Sequence, residues 1–215
     1  LYILKKIGVQ VFVVHINYAL RRQESESDQE LVEGMAAVWG YDCCSVRLDS
    51  TAIDGNFQKW AREERYRIFR DFKVQLQAHA IVTAHHLDDQ LETILQRILR
   101  GGNPATWAGM KQWDGELFRP LLDIPKQEVL EFCSKQSVPF HDDTSNFESK
   151  YARNFLRNNV FPGFDNLFPG WKQNLRNLEY YARQNRNAIH FITERCLGDE
   201  GLIIREFNSL SQPLK

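Results

Sequence analysis

The segment TAHHLDDQLETILQRILRGG, residues 83–102, sets two histidines, two aspartates and a glutamate within eight positions. Carboxylates packed this densely repel one another unless a cation or a set of donors gathers them. On a helix, Asp88 and Glu92 stand at i,i+4 and Asp89 and Glu92 at i,i+3, so the three acids project from one turn region. Two chemistries suit that pattern. One is an acidic first turn that complements the positive end of a helix dipole, with His85 and His86 satisfied by hydrogen bonds. The other is a site where carboxylates hold Mg²⁺ beside phosphate, since Mg²⁺ takes one or two protein oxygens and keeps waters. Spacing alone leaves both open.

Further candidates lie along the chain. Arg62 and Arg65 fall in a strongly basic stretch, which is either a solvated face or a set of guanidinium forks for phosphate. His15 and Asn17 end an apolar run, as core residues or at a ligand edge. Arg21 and Arg22 follow in a polar segment that meets a polyanion or solvent. Arg153, Asn154 and Arg157 place two like charges at i,i+4, a mild repulsion that a polyanion would reverse and that pairing with Asp142, Asp143 or Glu148 would also relieve. Arg176, Arg183 and Arg186 lie off an apolar stripe of Trp171, Leu175, Leu178, Ala182, Ile189, Ile192 and Cys196. They contact phosphate or simply keep a helix solvated. Tyr180 and Tyr181 could stack bases, whereas Trp171 at helical spacing reads as core.

The elements that must position these residues alternate. VQVFVVHIN (residues 9–17) is a short β-branched run of the kind buried in parallel sheets. Ser27 and Glu30 have capping-box spacing ahead of a helix running to about Trp39. CCSVRL (residues 43–48) reads as a strand, and Asn56 as the cap of a helix bearing Phe57, Ala61, Ile68 and Phe72. AIVTA (residues 80–84) is strand-like and leads into the acidic turn, with Leu87, Leu91, Ile94, Leu95 and Ile98 marking a helix closed by Gly101 and Gly102. LFRPLL (residues 117–122) reads as one more strand, and Pro125 as the first turn of a helix with Val129 and Phe132. Strand–helix alternation predicts a doubly wound, mainly parallel α/β sheet flanked by helices, followed by a small helical segment. Its ligands belong at the carboxyl ends of the strands, where helix N-termini offer N–H groups to phosphate. A boundary is expected near residues 165–170.

The chain has 215 residues and a formal net charge of −1, which argues against a uniformly basic nucleic-acid binder. The average hides an acidic surplus in residues 1–150 and a basic one in residues 151–215, so a polyanion would touch the C-terminal part. No apolar run approaches the roughly 18–20 residues of a membrane span. Cys43, Cys44, Cys133 and Cys196 show no zinc spacing and read as reduced thiols of a cytoplasmic protein. The chain starts at Leu1, which suggests a fragment.

Taken together, AHHLDDQLETILQRILRGG, WAGM (residues 107–110), RPLL (119–122), HINYALRRQESESD (15–28), WAREERYRIF (60–69) and DDTSNFESKYARNFLRNNVFP (142–162) closely resemble the tRNA(Ile)-lysidine synthetase family, in family order over about residues 9–165. The resemblance implies an adenine nucleotide alpha hydrolase-like fold with an N-type ATP pyrophosphatase domain at 1–165. Residues 166–215 would be a helical linker and the start of a tRNA-binding domain. It implies ATP and Mg²⁺ as cofactors, and L-lysine and tRNA(Ile) with a CAU anticodon as partners, with homodimerisation allowed. The reaction would be adenylation of cytidine 34 and ligation of lysine to its C2.

In that scheme Asp89 holds Mg²⁺ or orients lysine, with Asp88 and Glu92 in support, and His85 donates to a phosphate or to the activated base. Arg65 and Arg153 complete the catalytic group, and His15, Asn17, His86 and Arg62 surround the nucleotide. Arg21, Arg22, Asn154, Arg157, Arg176, Arg183 and Arg186 meet tRNA. The family's Ser-Gly-Gly-x-Asp-Ser phosphate loop is not in this sequence. Truncation upstream of Leu1 is the expectation, and the piece as given would be inactive without that loop. Three rivals are a tRNA-thiolating relative, which would use further cysteines, a non-catalytic RNA-binding module, and a metal phosphoesterase built on His85, His86, Asp88 and Asp89. The last would need a second cluster at His141, Asp142 and Asp143.

Overall fold

Parallel strand pairs joined through helices carry the architecture of this computed structural model, which describes residues 1–20, 22–49, 56–141, 152–198 and 201–202. The chain divides into two compact units. One comprises Leu1–Thr83, Asp114–Phe118 and Gln127–Asp143, and the other Ala84–Trp113, Arg119–Lys126 and Thr144–Lys215.

In the first unit, α1 (Tyr2–Lys6) precedes β1 (Phe12–Asn17), which crosses over through α2 (Arg22–Trp39) to β2 (Asp42–Arg47). The two strands run parallel, in register from Phe12 opposite Asp42 to Asn17 opposite Arg47. Helix α2 starts five residues before the expected Ser27 cap: no proline or glycine interrupts residues 22–27, and Glu24 already supplies the acidic first turn. Helix α3 (Phe57–Gln75) starts where its cap predicts, the Asn56 side chain accepting from the Lys59 N–H at 3.2 Å. It buries Ala61, Tyr66 and Ile68.

Strand β3 (Ile81–Val82) pairs in parallel with β4 (Leu117–Phe118), and Tyr66, Ile81 and Leu117 form a small core with Phe69 against it. Both strands are shorter than their apolar runs. Beyond Phe118 the ladder stops because Pro120 has no N–H to donate. Helix α5 (Lys126–Lys135) follows directly after Pro125.

The second unit is helical: α4 (Leu87–Leu99), a 3-10 turn (Pro104–Ala108), α6 (Ala152–Phe155), a π turn (Leu156–Val160), α7 (Phe161–Leu167) and α8 (Trp171–Cys196). A short antiparallel pair, β5 (Leu197–Gly198) and β6 (Gly201–Leu202), follows. Leu87, Leu91, Leu156, Phe161 and Trp171 form its core. Trp171 is core as its spacing predicts, with its ring centroid 4.7 Å from that of Phe161 and its indole N–H donating to Asp165. Helix α4 ends in a left-handed Gly101, φ 74°, whose N–H donates to Ile98 O while the Gly102 N–H donates to Arg97 O. This Schellman closure needs a residue without a Cβ at the turn. The chain has the expected α/β fold of parallel strands flanked by helices with a helical C-terminal segment.

Candidate functional site

The acidic turn begins with its histidine. His86 is the N-cap of α4: its Nδ1 accepts from the Asp89 N–H at 3.4 Å while Asp89 Oδ2 accepts from the His86 N–H at 3.0 Å. An imidazole nitrogen accepts only when neutral. Burial lowers His86 below its ordinary value against the opposing pull of Asp89 and Asp88, with Arg157 and Lys126 adding to the lowering. Two more first-turn donors are occupied: the Leu87 N–H donates to Ile124 O and the Gln90 N–H to His86 O. Asp88 Oδ2 accepts from the Lys126 N–H at 2.8 Å. Of the N–H groups that this helix start was expected to offer to phosphate, those of His86 and Asp89 close the capping box and that of Leu87 goes to Ile124 O. His86, expected beside the nucleotide, caps this helix through Nδ1.

One turn further on, Glu92 is completely buried. Arg157 Nε donates to Glu92 Oε1 at 2.7 Å and Arg157 Nη2 lies 2.7 Å from the same oxygen. Arg153 Nε is 3.3 Å from Oε2, at an angle that makes no hydrogen bond, and Arg153 Nη2 donates to Thr93 Oγ1 at 3.2 Å. Arg157 Nη2 also reaches to 3.5 Å from Asp89 Oδ1. Burial raises the Glu92 carboxyl above its ordinary value, opposed by Arg157 and Arg153. The two arginines thus find a carboxylate on α4; Asp142, Asp143 and Glu148 lie outside the described residues.

Both arginines come from the short helical run in which α6 passes into a π turn, an irregularity frequent at functional sites. Glu92, expected as a support for Mg²⁺, is thus engaged by two arginines. It compensates two cations, and among the described residues no group of three or more His, Cys, Asp or Glu side chains could hold a metal. Asp88 and Asp89 each spend one oxygen on a backbone N–H, and Asp89 Oδ1, held only by a long contact to Arg157, remains suited to a water-rich ion or to an amine. His85 sits half-buried in the preceding loop.

The first unit holds the remaining candidates. His15 on β1 is half-buried, and burial lowers it against the opposing pull of Asp28 and Glu33. Asn17, 2% exposed, is fully engaged: Nδ2 donates to Gln29 Oε1 and to Ser25 O, and Oδ1 accepts from the Ala19 N–H. This closes the turn after β1, where Ala19 takes a left-handed φ of 53°. Asn17, expected beside the nucleotide, thus shapes the loop with its amide.

Arg65 Nε donates to Tyr18 Oη at 2.9 Å and that hydroxyl donates to Ala61 O, so Arg65 is held in place rather than waving in solvent. Arg62 lies over the Tyr66 ring at 5.0 Å. Tyr18 was not among the sequence candidates, although an aromatic directly after Asn17 at a strand end is the signal that points to it. His141 Nδ1 lies 3.0 Å from Asp28 Oδ1.

Arg21, and the side chain of Arg22, fall outside what the structure describes. On α8, Arg183 pairs with Glu179, and Arg176 Nη2 lies 3.8 Å from Asp123 Oδ1. Arg186 instead lines a cleft with Arg97 and Arg100. Asn154 is on α6 beside Arg153. Gln90 is another residue the sequence did not single out: 2% exposed, it donates to Met110 O and accepts from the Met110 N–H, locking WAGM onto α4. No described helix is long and apolar enough to cross a membrane.

A family profile described as a PP-loop domain matches residues 1–164. The tRNA(Ile)-lysidine synthase of Shouchella clausii is 34% identical over 166 residues, covering 74% of this chain and 35% of its own. That of Streptococcus gordonii is 35% identical, covering 88% of this chain and 43% of its own, and that of Enterococcus faecalis 34% identical, covering 89% and 41%. The chain therefore spans less than half the length of these curated relatives. Among solved structures, the U34-tRNA thiolase NcsA from Methanococcus maripaludis, described with its [4Fe-4S] cluster, superposes with a TM-score of 0.63 at 14% identity, covering 81% of this chain and 62% of that one. That likeness concerns the fold.

Proposed function

The chain belongs to the PP-loop domain family, and on that premise we propose that it is the catalytic part of an ATP-dependent ligase that joins L-lysine to C2 of cytidine 34 in tRNA(Ile), acting in the cytoplasm. Residues 1–165 would form the ATP pyrophosphatase domain and residues 166–215 the start of a tRNA-binding one. The observation that carries this reading is the cluster at the start of α4. There Asp89 keeps an oxygen for a cationic or donor group beside two arginines that are partly exposed and anchored on a buried glutamate.

In the first step the cytidine O2 bonds to the α-phosphorus of ATP and pyrophosphate leaves. In the second the lysine ε-amine bonds to C2, AMP leaves with the oxygen, and the amine sheds its proton. Both steps move negative charge onto phosphate, which positioned cations stabilise. Arg153 and Arg157 supply such charge on α6 and its π turn, and Arg65, steadied by Tyr18, supplies it on α3. Asp89 Oδ1 orients the lysine amine, and His85 exchanges the proton or donates to the activated base. Mg²⁺, when bound, would neutralise phosphate charge, and Asp88 with Asp89 are the residues that would hold it. His15 and Arg62 would face the nucleotide.

The test uses the full-length protein with radiolabelled lysine, ATP and an unmodified tRNA(Ile) transcript with a CAU anticodon. The expected result is lysine in the RNA at position 34 with stoichiometric AMP and pyrophosphate, and none in a transcript with uridine there. ATP-dependent labelling by a sulfur donor instead of lysine would overturn the assignment.

A further inference from the structure

The acidic cluster occupies one end of α4; the other end carries an opposite charge. Arg97, Arg100 and Arg186 line a cleft of about 710 Å³, with Gly101, Gly102, Asn103 and Thr106 making up the rest of its wall. Among the described residues no carboxylate lines it, and none of the three arginines has an acidic partner. By contrast, Arg153 and Arg157 pair with Glu92, Arg176 with Asp123 and Arg183 with Glu179.

Cations in the last turn of α4 complement its dipole, but that end carries only about half a negative charge, and two of its carbonyls are already closed by the glycine turn. Three guanidiniums exceed that need, and Arg186 arrives from α8, for which the dipole of α4 offers no reason. Burial and the nearby Arg186 together lower the Arg97 guanidinium from its ordinary value.

The cleft is built rather than incidental. Arg97 Nη1 donates to Thr106 O at 2.7 Å and to Gly109 O at 2.8 Å, which fixes the guanidinium against the 3-10 turn. Asn103 caps that turn, and the Trp107 indole donates to Gly102 O at 2.7 Å. Gly102 has no room for a side chain: a Cβ there would lie 2.6 Å from Thr106 Oγ1 and 2.8 Å from Arg97 O. A hydrogen-bonded wall with clustered guanidiniums that have no acidic partner among the described residues matches a phosphate oxyanion.

We propose that this cleft is a phosphate subsite for the RNA backbone, gripping the substrate about 15 Å along α4 from the acidic turn where the base reacts. This rests on the RNA-modifying role proposed above and adds to it where the RNA is held. Such a contact carries no base specificity, and one phosphate neutralised corresponds to about one unit in the log–log salt dependence of binding.

The experiment is filter binding of tRNA(Ile) transcript to the full-length protein at several salt concentrations, with circular dichroism to confirm folding. Arg100→Gln combined with Arg186→Gln should weaken binding and flatten the slope by about one unit. The same positions changed to Lys should keep most of the slope, and Arg47→Gln, at an exposed arginine paired with Glu26, should leave it where it is. An unchanged slope in the folded Arg100→Gln/Arg186→Gln protein overturns the proposal. So does calorimetry in which the variant loses binding of inorganic phosphate while tRNA affinity stays intact, since the site would then serve a free anion. Lysine transfer by the unaltered protein is scored separately, so a failure of the ligase assignment is distinguishable from a failure of the subsite.

Discussion

Arg157 directs both Nε and Nη2 at a single oxygen of Glu92, each 2.7 Å away, on a carboxylate with no solvent exposure. The neighbouring oxygen, Oε2, accepts no hydrogen bond among the described residues. Glu92 therefore depends on Arg157 for its main compensation, and α4 depends on Glu92 to hold the π turn.

Arg157→Met should destabilise the protein by about 3–5 kcal/mol, because it strands a buried charge. Adding Glu92→Gln to that variant should recover part of the loss. Urea denaturation followed by circular dichroism reads both, and a cost for the single change below about 1 kcal/mol would show that the carboxylate finds water or another donor.

Gly109→Ala tests the lock between α4 and the 3-10 turn. Gly109 sits at φ 61°, and a Cβ there would stand 2.5 Å from Gln90 Nε2. Left-handed strain and displacement of Gln90 should together cost about 1–3 kcal/mol. A melting temperature equal to that of the unaltered protein would mean that Gln90 swings aside freely.

The pH dependence follows from His86. Its folded value lies below the ordinary histidine value of about 6.5, so the folded state binds fewer protons than the unfolded chain just below that pH. The stabilisation is present above about pH 6.5 and is lost as the pH falls through that range toward the folded value. His86→Asn, which keeps an N-cap acceptor, should reduce the loss of stability between about pH 7 and 5.5. His15 shifts in the same direction, so some slope persists. An unchanged profile in the variant would place the proton uptake elsewhere.

Asp89→Asn separates capping from chemistry. The carboxamide oxygen can still accept from the His86 N–H, so folding should be retained, while lysine- and ATP-dependent modification by the full-length protein should fall at least about 100-fold. Turnover near that of the unaltered protein would return this carboxylate to helix capping alone.

Much of the architecture was legible in the order of residues because it rests on local chemistry. The Asn56 cap, the paired glycines closing α4 and the apolar stripe that buries Trp171 each act over a few positions, where spacing alone fixes which groups meet. Strand lengths were less legible, since β3 and β4 end where partners end, and pairing is set by the neighbouring strand and by Pro120.

The acids of residues 88–92 divide the same way. That they share one helical turn follows from i,i+3 and i,i+4 spacing, and the sequence by itself determined that dense charge here must meet a compensating group. Which group it meets is a matter of distances across some 60 residues of chain. Only the tertiary structure brings Arg153 and Arg157 to Glu92, spends the Leu87 N–H on Ile124, and leaves Arg97, Arg100 and Arg186 together with no acidic partner among the described residues. Charges identical in sequence become structural or available according to what the fold packs beside them, because burial sets the cost of leaving any one of them unpaired.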